Sequence, residues 1–301
     1  MIINFRRLMC AGILLLVSSM APNLHAQAEL GYTVKYSSGQ DIQPIFEGWS
    51  RNPDGSFAMH FGYLNRNFVE ELHVPIGPDN NIEPGGPDQG QPTFFHTRIN
   101  RNLFSLTVPK DWGSKELVWT ITVRGETQRA RAWLQPEWEI EPAGGASGGG
   151  RTSEERLRNT PPAITIGTVS PITLPGTLTL SATANDDGLP KPGPRTRKPA
   201  VGQETPPILQ APTDAPINLP NLAPDTGGGR STDRPQGLTV SWMVWRGPAR
   251  VAFDPRTTLV KDGTATVTAT FTKPGTYVLR ARANDGLLST YASVTVTVDE
   301  K

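Results

Sequence analysis

Strict two-residue alternation, repeated segment after segment, constrains the fold of this chain more than any other feature. Leu178, Leu180, Ala182 and Ala184 alternate with Thr179, Ser181 and Thr183. The same pattern returns at Leu238/Val240/Trp242/Val244, at Ala265/Val267/Ala269/Phe271, at Tyr277/Leu279/Ala281/Ala283 and at Val294/Val296/Val298. Successive side chains of a strand point to opposite faces, so each segment has one apolar face that must be buried. Pro, Gly and Asp turns separate the segments. The pattern predicts short antiparallel strands packed as a β-sandwich over 161–300. Trp242 is then the large core residue of its strand. Tyr277, straight after Lys273-Pro274-Gly275-Thr276, stands where a tyrosine-corner residue would sit.

Residues 29–140 read as a second, N-terminal sandwich. Phe57, Met59, Phe61 and Tyr63 alternate with Ser56, Ala58, His60 and Gly62, and Leu117, Trp119, Ile121 and Val123 repeat the pattern. Asn52-Pro53-Asp54-Gly55 and Arg124-Gly125-Glu126-Thr127 read as turns, because Pro presets φ, Asp bonds its own backbone and Gly accepts positive φ. A Pro/Gly/Asp/Asn-rich loop is expected between Gly77 and Gln91. Asn65-Arg66-Asn67-Phe68 and Asn100-Arg101-Asn102-Leu103 form an echo, each read as a polar turn before a strand.

The remaining stretches cannot build a core. Residues 1–28 have Arg6-Arg7, an apolar run from Leu8 to Met20 and an Ala26-Gln27-Ala28 exit, the pattern of a cleaved signal peptide. The apolar run is shorter than the roughly 20 residues of a membrane-spanning helix. Residues 141–160, Gly-rich and then charged, read as a flexible linker between two independently packed domains. Residues 189–237 hold eleven prolines, a basic Arg195-Thr196-Arg197-Lys198 patch and a glycine triplet, and read as a disordered insertion in the second sandwich. The expected architecture is therefore all-β: two antiparallel sandwiches, 29–140 and 161–300, joined by a flexible linker.

Cys10 is the single cysteine and lies in the leader, so thiolate metal sites, cysteine nucleophiles and disulfides are excluded from the mature chain. Formal charge is +1 from 29 basic and 28 acidic residues; without Arg6 and Arg7 it is 27 against 28, or −1. Such a balance gives no electrostatic reason to expect nucleic acid as a partner.

A family resemblance rests on a series of motifs. These are Pro161-Pro162-Ala163-Ile164, Leu178-Thr179-Leu180 to Asn185-Asp186-Asp187-Gly188, Leu238 to Trp242, Gly247-Pro248, Gly275-Thr276-Tyr277 to Ala283-Asn284-Asp285-Gly286, and Val294 to Val298. In this order they resemble an immunoglobulin-like domain of the polycystic-kidney-disease (PKD) repeat type. The W-x-F-G-D-G turn of the best-defined repeats is absent, since Trp242 is followed by Met243-Val244-Trp245-Arg246. The resemblance implies a non-catalytic spacer, adhesion module or platform. The N-terminal unit, with its FEGWSRNPDGSF and GYLNRN stretches, resembles uncharacterised secreted bacterial proteins, which implies no activity.

Three kinds of candidate site follow. Asp186, Asp187 and Asp285 lie in loops after two strands that share one end of such a sandwich. They read either as hard oxygen ligands for Ca²⁺ or as turn formers bonding their own backbone. His60, His73 and His96 would have to converge to hold zinc, and their spacing does not demand it; His73 beside Glu70-Glu71 reads as a solvated edge. Trp49, Trp112, Trp119, Trp133 and Trp138 read as core packing or, if exposed, as a platform for sugar rings. A carboxylate pair such as Glu137 with Glu139 or Glu141 is the remaining route to hydrolysis. The expectation is a secreted, non-enzymatic binding, adhesion or spacer protein, periplasmic or extracellular. It has no cofactor beyond the Ca²⁺ option, and a cell-surface protein or polysaccharide as partner. A carbohydrate-binding accessory protein is the alternative, and a small hydrolase on the first unit a distant one.

Overall fold

The computed structural model describes residues 36–140, 158–191 and 237–301. The leader 1–28, most of the 141–160 linker and the core of the 189–237 insertion lie outside the described residues. Tyr36–Lys301 forms one compact unit. The fold is all-β, and among the described residues no helix is long and apolar enough to cross a membrane.

The first sandwich contains β1 (Ile42–Arg51), β2 (Phe57–Asn65), β3 (Leu72–His73), β4 (Asn80–Glu83), β5 (Phe94–Phe95), β6 (Arg98–Val108), β7 (Leu117–Val123) and β8 (Glu126–Ala132). One sheet runs β1-β2-β6, a second β4-β7-β8, and β3 pairs with β5. The alternation places Met59, Phe61 and Tyr63 against Trp119 and Ile121, all nearly inaccessible to solvent. Arg124 and Gly125 both have positive φ, as the tight turn between β7 and β8 requires. The segment read as a loop is partly strand: β4 pairs with β7, and the side chain of Asn80 is fully buried. The Asn80 amide donates to the carbonyls of Val74 (3.0 Å) and Pro92 (2.8 Å) and accepts from the Trp119 indole (3.0 Å). The asparagine echo has no structural counterpart, because Asn100 to Leu103 lie inside β6 whereas Asn65 ends β2.

The second sandwich contains β9 (Ala163–Ile166), β10 (Ile172–Thr173), β11 (Thr177–Asn185), β12 (Thr239–Arg246), β13 (Val251–Asp254), β14 (Thr257–Leu259), β15 (Thr264–Phe271), β16 (Gly275–Asn284) and β17 (Ser289–Asp299). Its sheets run β9-β11-β15-β13 and β10-β17-β16-β12-β14. This is the two-sheet partition of an immunoglobulin-like sandwich. The predicted faces are inward: Leu180, Val240, Val267, Leu279 and Val296 are buried around Trp242. The Tyr277 hydroxyl donates to the Lys273 carbonyl at 2.9 Å, which is the tyrosine-corner bond.

The two sandwiches do not pack independently, contrary to the tether expectation. In the β12–β16 ladder the register shifts between Val244 and Arg246, so Trp245 is the extra residue of a bulge. A bulge re-aims a side chain, and Trp245, 3% exposed, joins the core of the first sandwich. Phe94 of β5 is buried in the core of the second. The Thr93 amide donates to the Trp245 carbonyl at 3.1 Å, so a backbone bond crosses the joint. Interiors that share side chains this way bury apolar area that two separate domains would leave in water.

Candidate functional site

Three places carry chemistry-bearing side chains, and the joint is the most elaborate. The Trp245 indole N–H donates to the Gly90 carbonyl at 3.1 Å. Arg246 donates from Nε to the Gln91 carbonyl at 3.0 Å and pairs through both terminal nitrogens with Asp88, at 2.7 and 3.0 Å. Asp88 is held below the ordinary carboxylate range chiefly by that Arg246 bond. Gly90, Gln91 and Asp88 belong to the Gly77–Gln91 segment, so part of it is the docking surface for β12. His96 lies beneath. Its Nδ1 is 2.8 Å from Glu71 Oε1 and its Nε2 is 3.0 Å from the Val244 carbonyl. His96, expected only as one of three histidines, is thus a bridging residue. His60 instead meets Ser50 Oγ at 2.9 Å. His73 is exposed on β3, whereas Glu71 turns inward beside His96, its side chain 9% exposed.

The second place is an exposed aromatic. Pro136–Trp138 forms a short 3-10 turn clamped against β1. The Trp49 indole donates to the Gln135 carbonyl at 2.8 Å, the Ile140 amide donates to the Trp49 carbonyl at 2.7 Å, and Arg51 pairs with Glu139 at 2.7 Å. Gly48, at φ +122, allows the approach, since a Cβ there would lie 2.6 Å from the Trp138 carbonyl. The Trp138 ring lies parallel to Phe46, 5.3 Å away at 3°, with Trp133 tilted beside it at 6.3 Å. Trp138 is 43% exposed, whereas Trp49, Trp112 and Trp119 are buried. Of the carboxylates considered for hydrolysis, Glu137 is exposed, Glu139 is paired with Arg51, and Glu141 lies outside the described residues.

The third place is the acidic end of the second sandwich. Asp187 accepts from the Thr160 amide (2.9 Å) and hydroxyl (2.8 Å) and from the Leu189 amide (2.8 Å). Asp285 accepts from the amides of Leu287 (2.6 Å) and Leu288 (2.7 Å) and from the Asn159 side-chain amide (2.9 Å). Asp186 accepts from the Gly188 amide at 3.0 Å. Asp186 and Asp285 both line a pocket of about 350 Å³ whose lining does not include Asp187. The Oδ1 atoms of Asn159 and Asp186 are buried without a hydrogen-bond partner. Burial pushes the Asp186 carboxyl up, and the neighbouring charges of Asp285 and Asp187 add to it. Among the described residues no three His, Cys, Asp or Glu side chains converge as a metal-holding group. Asn159, placed in the linker by the sequence, is the neighbour that composition gave no reason to single out.

No protein family and no curated protein matches the sequence. Solved structures do. The titin I-band fragment I67–I69 is 9% identical, with 86% of this chain aligned to 65% of that one at a TM-score of 0.22. The D00–D0 domain of intimin is 10% identical, with 85% of this chain aligned to all of that one at 0.24. An endo-fucoidan hydrolase of glycoside hydrolase family 107 is 11% identical, with 89% of this chain aligned to 28% of that one at 0.25. The chain thus spans 65% of the titin fragment and under a third of the hydrolase. Its own strand order defines the class: an immunoglobulin-like sandwich fused to a second all-β sandwich.

Proposed function

We propose that this is an exported, non-catalytic protein of the cell surface or periplasm, a binding, adhesion or spacer element whose C-terminal sandwich is of the PKD-like type. The observation that carries this reading is the mutual burial of Trp245 and Phe94 across the joint. It makes one stiff body of two modules, the property a spacer or presenting platform needs. The partner in this reading is a cell-surface protein or polysaccharide. Fractionation of cells expressing the tagged full chain tests it: recovery outside the cytoplasm with the first 26–28 residues removed is expected. Retention in the cytoplasm with the leader intact overturns it.

A second reading, a carbohydrate-binding accessory protein, is favoured by Trp138. Its ring is exposed, held in place by the clamped turn, and backed by Phe46. A rigid aromatic face loses little entropy on binding. Titration with soluble polysaccharides is expected to change tryptophan emission in the parent and not in Trp138→Ala. Identical responses would remove this reading. At the acidic end, Ca²⁺ held by Asp186, Asp285 and Asn159 would give the two orphaned oxygens a partner, since buried acceptors without donors are costly.

A further inference from the structure

We propose that His96 is a protonation-dependent latch that sets how tightly the two sandwiches are joined. Both ring nitrogens face acceptors. Nδ1 meets the Glu71 carboxylate at 2.8 Å, and Nε2 meets the Val244 carbonyl, on the bulged strand of the other sandwich, at 3.0 Å. Neutral imidazole has one N–H and one lone pair, whereas imidazolium has two N–H donors. Only the doubly protonated ring satisfies both contacts. With one proton, a lone pair is turned toward either the carboxylate or the carbonyl, and that contact becomes repulsive.

The ring's surroundings are well defined. The ring is buried and packs edge-on against Phe94 at 5.1 Å. Its backbone N–H is already used on the Tyr63 hydroxyl at 2.8 Å, and burial pushes the Tyr63 phenol far up, so it stays neutral. Glu71 also faces two cations of the second sandwich: Arg250, 3.7 Å from Oε2, and Arg256, whose charge bears on it. Burial pushes the Glu71 carboxyl up, but the His96 bond and charge, with Arg250 and Arg256, bring it below its ordinary value. Glu71 is therefore a carboxylate that accepts rather than an acid that donates. The latch is closed while the ring carries two protons, and it loses one contact as rising pH removes one.

Position makes this contact a switch for the joint rather than for either core. The Val244 carbonyl sits where the ladder shifts, next to Trp245. Thr93, three residues before His96, donates its amide to the Trp245 carbonyl at 3.1 Å and accepts at its hydroxyl from the Gly247 amide at 3.3 Å. These two amides report the joint directly.

Hydrogen exchange of the full chain, followed by mass spectrometry from about pH 5 to about pH 8 and corrected for intrinsic exchange, tests the proposal. The Thr93 and Gly247 amides are expected to lose protection roughly tenfold across the range, the scale of one hydrogen bond to a charged group. The β2 and β15 amides should hold theirs. His96→Gln should flatten the joint profile. Glu71→Gln is the second variant, should the first not fold. Its amide can donate to a neutral Nδ1 while Nε2–H still reaches Val244, so the joint becomes indifferent to the ring's charge and the profile is again flat. A flat profile in the parent, an unchanged slope in the variants, or equal loss at the joint and in both cores would overturn the latch.

Discussion

The guanidinium carbon of Arg280 lies 3.4 Å from the centroid of the Trp245 indole, a cation–π contact in which each residue reaches across from the second sandwich to the first. Arg280 also donates from a terminal nitrogen to the Leu103 carbonyl at 3.0 Å, and Phe104 meets the indole edge-on at 5.9 Å. Burial pushes Arg280 down to about 10, leaving it charged at neutral pH under a ring that attracts cations.

Trp245→Ala should therefore cost about 3–5 kcal/mol, as large-to-small changes of buried aromatics do. It should also split thermal unfolding into two transitions, because the shared interior is what couples the sandwiches. Scanning calorimetry checks both. A single transition with a loss below about 1 kcal/mol would count against the joint as described.

Trp242→Ala should cost a similar amount, about 3–5 kcal/mol, but within the second sandwich alone. Trp242 is 1% exposed and stacks on Phe253 at 6.5 Å. Denaturant titration should show the lowered midpoint with an unchanged slope.

Much of the fold was legible because alternation is local. The Leu117–Val123 strand was readable at both ends, and Tyr277 could be placed from the four residues before it. The joint was not legible, and the reason is physical. Trp245 breaks the alternation of β12 because it is a bulge residue, and a sequence alone does not say toward which body a bulged side chain turns. β4 was hidden by its length and by having one apolar residue, Ile82, among Asn and Glu. His96 finds Glu71 25 positions away and Val244 148 away, separations that no spacing rule connects.

Acid should weaken the protein through Glu71. A carboxyl held below its ordinary value in the folded state gives stability that is fully present above the unfolded value, about 4.3, and is lost as pH falls through the folded one. Melting temperatures taken down the acid side should drop below about pH 4, and the drop should be shallower in Glu71→Gln. Equal acid slopes in parent and variant would assign the loss to other carboxylates.

Millimolar Ca²⁺ should raise the melting temperature of the second sandwich if Asp186, Asp285 and Asn159 take the ion, since a ligand that binds only the native state stabilises it in proportion to the logarithm of its excess. Asp186→Ala should abolish the rise, whereas Asp187→Ala should lower stability with or without the ion, because Asp187 bonds Thr160 and Leu189. Identical melting curves in Ca²⁺ and in chelator would leave all three aspartates as turn formers.

The bulge in β12 has a genetic meaning. Across the ladder Val244 faces Leu279 and Arg246 faces Val278, so Trp245 is a single residue with no partner of its own. Removing that one codon would restore a plain ladder and withdraw the indole from the neighbouring body. The Arg246–Asp88 pair, the His96–Val244 contact and Phe94 would remain, so the length of one strand, counted to the residue, sets how much apolar interior the two bodies share.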